Sequence, residues 1–417
     1  MSDRSHKTRT LWLCGMLHAL THTYHVALLP LYLPIQKDLK LGSVEQATLL
    51  VTVLGLAYFV PSYPMGVLAD RFSRKALLTT GLAINGLGFI GLSLAPNYPW
   101  ALACVVVAGI GGSFYHPSAT ALVVGLFPEA KGRALGLVGI GASVGFFISP
   151  IYAGWRTVNA ESWRAPVFEL GVLGLVAAGV FVWLAEERRP RSSEGQHSRA
   201  AERMFPSAAL WLLFLAAGLA FSLRDFAGCG MSTAASLFLQ NAHGFNPQLT
   251  GLALSGIFIA SAVSNPLFGG LSDRGRIRWI SFTLLMAMLM MTAFPRAPKG
   301  GLVPVLLAYG FFFMASYPMV EAALMESVPE SVRGRVYGLF ITVSGLVGTL
   351  SHWVAGHWVE KLGPRATASA SYYPLFGLLS LLVLVSLAGL PCLHAIRKRE
   401  HVNGAVATAV PPLSALH

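Results

Sequence analysis

The sequence predicts an all-α integral membrane protein of twelve transmembrane helices, arranged as two pseudo-symmetric six-helix halves. Three observations predict it. Apolar runs follow one another almost end to end, one long polar stretch interrupts them at mid-chain, and the same loop motifs recur on either side of that stretch. Of the 417 residues, 54% are hydrophobic and only 12% charged, with a mean hydropathy of +0.61. That is too little charge to keep a domain of this size in water.

A helix needs ~20 mostly apolar residues to cross the ~30 Å hydrocarbon core. Reading apolar runs against polar breaks puts helices 1 to 6 at 11–35, 45–69, 76–95, 99–127, 134–155 and 165–186. Helices 7 to 12 follow at 207–240, 248–271, 278–295, 302–327, 336–359 and 371–396. The chain then divides into an N-terminal half at 1–186, a linker at 187–206, a C-terminal half at 207–396 and a tail at 397–417. The stretch from Glu186 to Pro206, "EERRPRSSEGQHSRAAERMFP", is the longest polar segment. No cleavable signal is expected, because the first apolar run is interrupted by His18, His22 and His25 and lacks a small-residue cleavage motif.

Of the 30 Lys and Arg residues, 21 fall in the termini, the linker and the even-to-odd loops, eight in the opposite loops, and Arg224 alone within a helix. Cytoplasmic loops carry the excess of basic residues, so both termini and the linker are expected in the cytoplasm of a cell (inner) membrane. This scatter over many short loops argues against nucleic-acid binding, which needs a continuous basic stripe. Cys14, Cys104, Cys229 and Cys392 each sit in an apolar run without C-x-x-C spacing, so neither a disulfide framework nor a thiolate metal site is expected.

The two halves match each other. "GVLADRFSRK" follows helix 2 and "GGLSDRGRIR" follows helix 8, which aligns Asp70 with Asp273. "YHP" ends at Pro117 and "PEAKGR" begins at Pro128, while "YP" ends at Pro318 and "PESVRGR" begins at Pro329, both 11 residues on. Paired motifs at matching positions, 203 and 201 residues apart, indicate a duplicated six-helix unit. These residues resemble the major facilitator superfamily, whose loop 2–3 signature Gly-x-x-x-Asp-Arg-x-x-Arg-Lys is met by Gly66, Asp70, Arg71, Arg74 and Lys75, with Ser73 at the usual glycine. The resemblance covers essentially the whole chain and implies alternating access. Gly66 would let helices pack closely, and Asp70 would accept hydrogen bonds from a helix end or from a neighbouring arginine, Arg133 and Arg335 being candidates. With Asp273 and Arg274 in the second half, such clusters would hold an outward-open state; topology and packing alone are the other reading.

Ionisable side chains inside the bilayer cost ~2.5–3.5 kcal/mol each on insertion scales and call for a reason. His18, His22 and His25 are spaced by four and three, on one face of helix 1. A wet cavity wall that binds or relays protons, or donates to an anion, fits three imidazoles better than packing does. Zinc is the less favoured alternative, because no carboxylate or thiol completes a ligand set, and no metal or cofactor is expected. His116 precedes Pro117 in helix 4, and Pro117, Pro150 and Pro318 are candidate kinks. In helix 7, Arg224 lies 202 residues after His22, the corresponding place in the second half. Arg224 and Asp225 point ~100° apart on a helix, so mutual satisfaction is not expected. Arg224 is read either as a fork for an anionic solute or as a structural partner of Asp225 or Glu321. Glu321 is the better candidate of helix 10 for a proton site.

Within the superfamily, "LHALTHTYHVALLPLYLP", "YHPSATALV" and "SLRDF" resemble the fosmidomycin-resistance type of exporter. That likeness implies cavity roles for His18, His116, Pro117 and Arg224. Two residues depart from it: His22 stands where an Asp is expected, and Asp225 where a small hydroxyl residue is expected. The arginine that many proton antiporters carry in helix 4 is also missing, around Val105. The function expected is a secondary transporter, monomeric and proton-coupled, that exports a small, anionic solute or drug; import or facilitated passage of an organic acid is the alternative. An enzyme is not expected, since no nucleophile–base pair or nucleotide-binding loop is present.

Overall fold

The computed structural model describes residues 3–187, 204–205, 207–329 and 332–409. Among the described residues every long element is a helix. Eleven of them, from Val44–Ala69 to Ser369–Arg399, are long and apolar enough to cross a membrane. The twelfth segment is the first, Asp3–Val26, extended by the short turn Leu29–Leu31 and Tyr32–Asp38. Its histidines, threonines and basic first turn lower its hydropathy, yet Cys14, Leu17, Tyr24, Leu28 and Leu31 are fully buried against its neighbours. Helix 1 begins at Asp3 rather than at 11 because its start is pinned to the end of helix 6. His6 and Arg9 pair with Glu186, and the Glu186 amide donates to Thr10 Oγ1 at 3.0 Å.

Helix starts follow ordinary capping chemistry, in which a side-chain oxygen takes up an unpaired amide. Ser73, Asn97, Ser207 and Asn246 accept from the amides of Ala76, Trp100, Leu210 and Leu249. Gly244, at φ +66°, ends the 36-residue helix 7 in the left-handed conformation that glycine adopts without a steric cost. Helix 2 is broken between Phe59 and Ser62, and helix 8 between Ile259 and Ser261; neither break is predicted from the apolar runs. Helix 4 breaks at Phe114, just before Tyr115, His116 and Pro117, so Pro117 sits in a first turn where its missing N–H leaves no bond unmade. Pro150 and Pro318 lie inside helices that run on through them, and each removes a single amide donor from an otherwise continuous ladder. Residues 188–203 and 206 of the expected linker are outside the described residues, and the last helix runs past 396 to Ala409.

Among the described residues, the hydrogen bonds and closest backbone contacts between the halves gather at one end. Helix 5 (Lys131–Asn159) and helix 8 (Pro247–Ser272) touch backbone to backbone: Gly154 faces the Pro247 carbonyl and Gly251 the Pro150 carbonyl, with no room for a Cβ at either. Ser255 donates to the Phe147 carbonyl at 2.7 Å beside them. The symmetry-related pair is helix 2 against helix 11, where Thr52 Oγ1 donates to the Thr349 carbonyl at 3.1 Å and accepts from the Trp353 amide at 2.9 Å. Glu45 accepts from Trp353 Nε1 at 2.6 Å and pairs with His357 at 2.8 Å, and Glu360 accepts from the Val44 amide at 2.7 Å. At the other end, around loops 2–3, 4–5, 8–9 and 10–11, a Cβ on Gly132, Gly136, Gly269, Gly334 or Gly338 would meet nothing within 4 Å. The molecule is closed at the Glu45–Glu360 end and open at the other.

Candidate functional site

Two polar clusters lie inside the bundle, one in each half. In the first half the spacing of four and three does place the histidines of helix 1 on one stripe. His18 Nδ1 donates to the Val138 carbonyl of helix 5 at 3.0 Å, and His18 Nε2 lies 3.1 Å from His22 Nε2. His25 Nδ1 donates to the Thr21 carbonyl at 3.0 Å, as a local back-bond, and its ring meets Tyr58 edge-on. Because helix 4 breaks at Phe114, Tyr115 stacks on His18 and anchors to the Cys14 carbonyl, while His116 turns its ring to 5.3 Å from His18 and 5.8 Å from His22. His116 is exposed and the three helix-1 histidines are half-buried. His352, of helix 11, extends the polar line into the second half through Thr233 and Tyr32, at 2.7 and 2.9 Å.

In the second half, Arg224 and Asp225 pair with each other. Arg224 Nε lies 3.0 Å and its Nη2 2.9 Å from Asp225 Oδ1, which overturns the expectation that helix neighbours could not satisfy one another. The reason is reach: the Cβ vectors diverge, but the long arginine stem carries both N–H groups around the helix to one oxygen. Arg224 is 1% exposed, lies over the Tyr317 ring with its Cζ 4.1 Å from the centroid, and points Nη1 at the Ser316 carbonyl. It is therefore a buried, partnered cation rather than an open fork. Glu321, hydrogen-bonded to Tyr337, lies within electrostatic range of both members of the pair. Tyr317 and Tyr337 carry no signal in the sequence that separates them from ordinary aromatic helix residues.

The Major Facilitator Superfamily model matches residues 11–352 of the sequence. The chain belongs to the major facilitator superfamily. It is a multi-pass membrane transporter of a small solute, and not an enzyme. Among curated relatives, the enterobactin exporter EntS of Escherichia coli O1:K1 is 26% identical over 378 residues, covering 87% of this chain and 89% of the relative. The EntS of Shigella flexneri is 27% identical, with 87% and 88% covered. Among solved structures, a bacterial homologue of the human lysosomal transporter Spinster, inward-facing and unoccupied, superimposes with a TM-score of 0.74 at 17% identity, covering 94% of this chain and 97% of that one. The nucleoside transporter NupG gives 0.71 at 15%, with 92% and 99% covered.

The superfamily loop residues lie at the open end of this transporter. Arg71, Arg133, Arg274 and Arg335 are exposed there, and the side chain of Asp70 is outside the described residues. A Cβ on Gly66 would make ordinary contact with Pro117, so the helix 2–helix 4 approach does not demand glycine. Arg74 donates to the Ala69 and Ala121 carbonyls at 3.4 and 3.2 Å, tying helix 2 to helix 4. Glu187 binds Ser73 and the Arg74 and Lys75 amides, a role hidden in the sequence because the residue reads as part of the polar linker. Asp273 pairs with Arg276, which also holds Glu326 at 2.6 Å, and Arg397 joins Glu326 at 3.7 Å. Each of these contacts stays within one half.

Proposed function

We propose that this transporter is a proton-coupled exporter of a small anionic solute, working by alternating access of a site between the His stripe and the Arg224–Asp225–Glu321 cluster. The carrying observation is the buried ion pair: Arg224 is held by Asp225 at 2.9 Å in a half whose facing wall is lined by imidazoles. A solute carboxylate or similar anion and Asp225 compete for the same guanidinium. A proton taken up by Asp225 cancels its charge and releases Arg224 to the solute; solute departure lets the pair re-form as the proton leaves. Glu321, beside the pair, is the second station for the proton. Proton and anion therefore bind together, and this positive, reciprocal linkage couples their fluxes, because a ligand moves an equilibrium only by its differential affinity for two states.

The excess of basic residues in the loops at the open end supports a cytoplasmic setting for that end and for both termini. The conformation described is then inward-open. Halves spanning 1–186 and 207–396 rock about the site, with Asp70, Arg71, Asp273, Arg274, Arg133 and Arg335 as the gating residues of the cytoplasmic end. The EntS exporters, similar over most of their length, support the outward direction. The likeness of the helix 1, "YHPSATALV" and "SLRDF" segments to fosmidomycin-resistance type exporters supports the branch reading.

A thermal-shift screen of small anions on purified protein at two pH values tests this reading. A hit whose shift weakens in Arg224→Ala and His22→Ala is expected; shifts unchanged in both variants would count against the site.

A further inference from the structure

The sequence offers only two of the helix-1 imidazoles plus a third one turn on, all from one helix. The fold supplies a different third ring, His116 of helix 4. One nitrogen from each of His18, His22 and His116 lies within 4.8 Å of the other two. The geometry points to a binding site for a borderline divalent transition-metal ion, of the Zn²⁺, Co²⁺ or Ni²⁺ class, on the cavity face of the first half. This inference does not rest on the proton-coupling reading above.

Three features carry it. His18 donates its Nδ1–H to the Val138 carbonyl, which fixes the tautomer and turns the Nε2 lone pair toward His22 and His116. A second-shell carbonyl bond of this kind orients most metal-binding histidines. His22 Nε2 already sits 3.1 Å from His18 Nε2. Two nitrogen ligands of a tetrahedral ion at 2.0–2.1 Å stand ~3.3 Å apart, so this pair is spaced as chelating ligands are. Finally, His22 Nδ1 is buried with no hydrogen-bond partner. A neutral imidazole needs one donor and one acceptor role filled; His22 has one, and turning its ring to meet an ion breaks no bond at Nδ1. His116, exposed to the cavity, can swing in to close the remaining distance. Its exposure also leaves a fourth position open to water or to an oxygen of the solute.

The donor set selects the class of ion. Neutral imidazoles suit Zn²⁺, Co²⁺, Ni²⁺ and Cu²⁺, whereas Mg²⁺ and Ca²⁺ take oxygen ligands, which the three rings do not offer. His25 is excluded from the set because its Nδ1–H is committed to its own helix at Thr21 and its ring packs on Tyr58.

The test is calorimetric titration of Zn²⁺ into the full-length protein, purified in detergent through a tag without histidines, with Co²⁺ absorption as a second readout. One saturable ion per chain is expected, with the intense visible bands of a tetrahedral Co²⁺ site. His22→Ala and His116→Ala should each weaken binding by more than about tenfold, since even second-shell changes cost 10–100-fold. His25→Ala and His352→Ala should bind as wild type does. If an alanine variant fails to give a monodisperse sample, the glutamine variant at the same position, which keeps the polar volume but supplies no imidazole, takes its place. Absence of saturable binding in the wild type overturns the proposal. So does binding unchanged by His22 and His116 variants, as a surface site at His357 and Glu45 would give, or a loss as large in His25→Ala.

Discussion

A methyl group on Gly251 should drive this transporter out of the conformation described. The Cβ of Gly251→Ala would fall on the carbonyl of Pro150 across the helix 5–helix 8 contact, and a backbone oxygen cannot rotate aside as a side chain can. The two helices must part, and Ser255 then loses its 2.7 Å bond to the Phe147 carbonyl. Overpacking of this kind costs about 1–3 kcal/mol. The cost falls only on the state in which helices 5 and 8 touch, so it converts to a shift of roughly 5–150-fold toward the state open at that end. Electron–electron distance measurements between spin labels introduced as unnatural side chains at positions 132 and 334, at the open ends of helices 5 and 11, read the two populations directly. The short-distance population should grow in Gly251→Ala and stay as in wild type in Gly269→Ala, where a Cβ meets nothing within 4 Å. An unchanged distribution in Gly251→Ala, or an equal shift in Gly269→Ala, would refute the reasoning.

Other outcomes follow from single contacts. Arg224→Ala leaves Asp225 buried without its cation and should destabilise the protein by about 3–5 kcal/mol; a thermal melt should show the double variant Arg224→Gln/Asp225→Asn recovering much of the loss. Tyr24→Phe removes the 2.9 Å bond to the Leu170 carbonyl that fastens helix 1 to helix 6, and should cost about 1–3 kcal/mol in the same assay. Glu45→Gln, by contrast, weakens a pair in which His357 is 46% exposed, so the change in the label-distance populations should correspond to less than about 1 kcal/mol.

Much of the architecture is legible in the sequence because bilayer physics leaves few choices: a span must be helical, apolar and about 20 residues long. The duplicated loop motifs give the two halves for the same reason, since a repeat preserves spacing even where the identities drift. What escapes is whatever depends on backbone breaks and side-chain reach. The break of helix 4 at Phe114 decides that His116 joins His18 and His22, and the sequence marks it only by a proline three residues later. Arg224 and Asp225 read as divergent neighbours because residue spacing describes Cβ directions and not where a four-bond side chain can place its charge. Glu187 reads as linker, yet it caps the start of helix 3 from the end of helix 6. The breaks in helices 2 and 8 are invisible for a further reason: hydropathy does not change across them.

Solute flux in proteoliposomes under an imposed pH gradient bears hardest on the proton–solute coupling at Arg224 and Asp225. With an anion taken from the thermal-shift screen, wild-type flux should accelerate with the gradient. Asp225→Asn should still exchange solute for solute but lose its response to the gradient, because the amide can neither take up the proton nor release it. Wild-type flux indifferent to the gradient, or an Asp225→Asn variant that keeps the full response, would contradict the account.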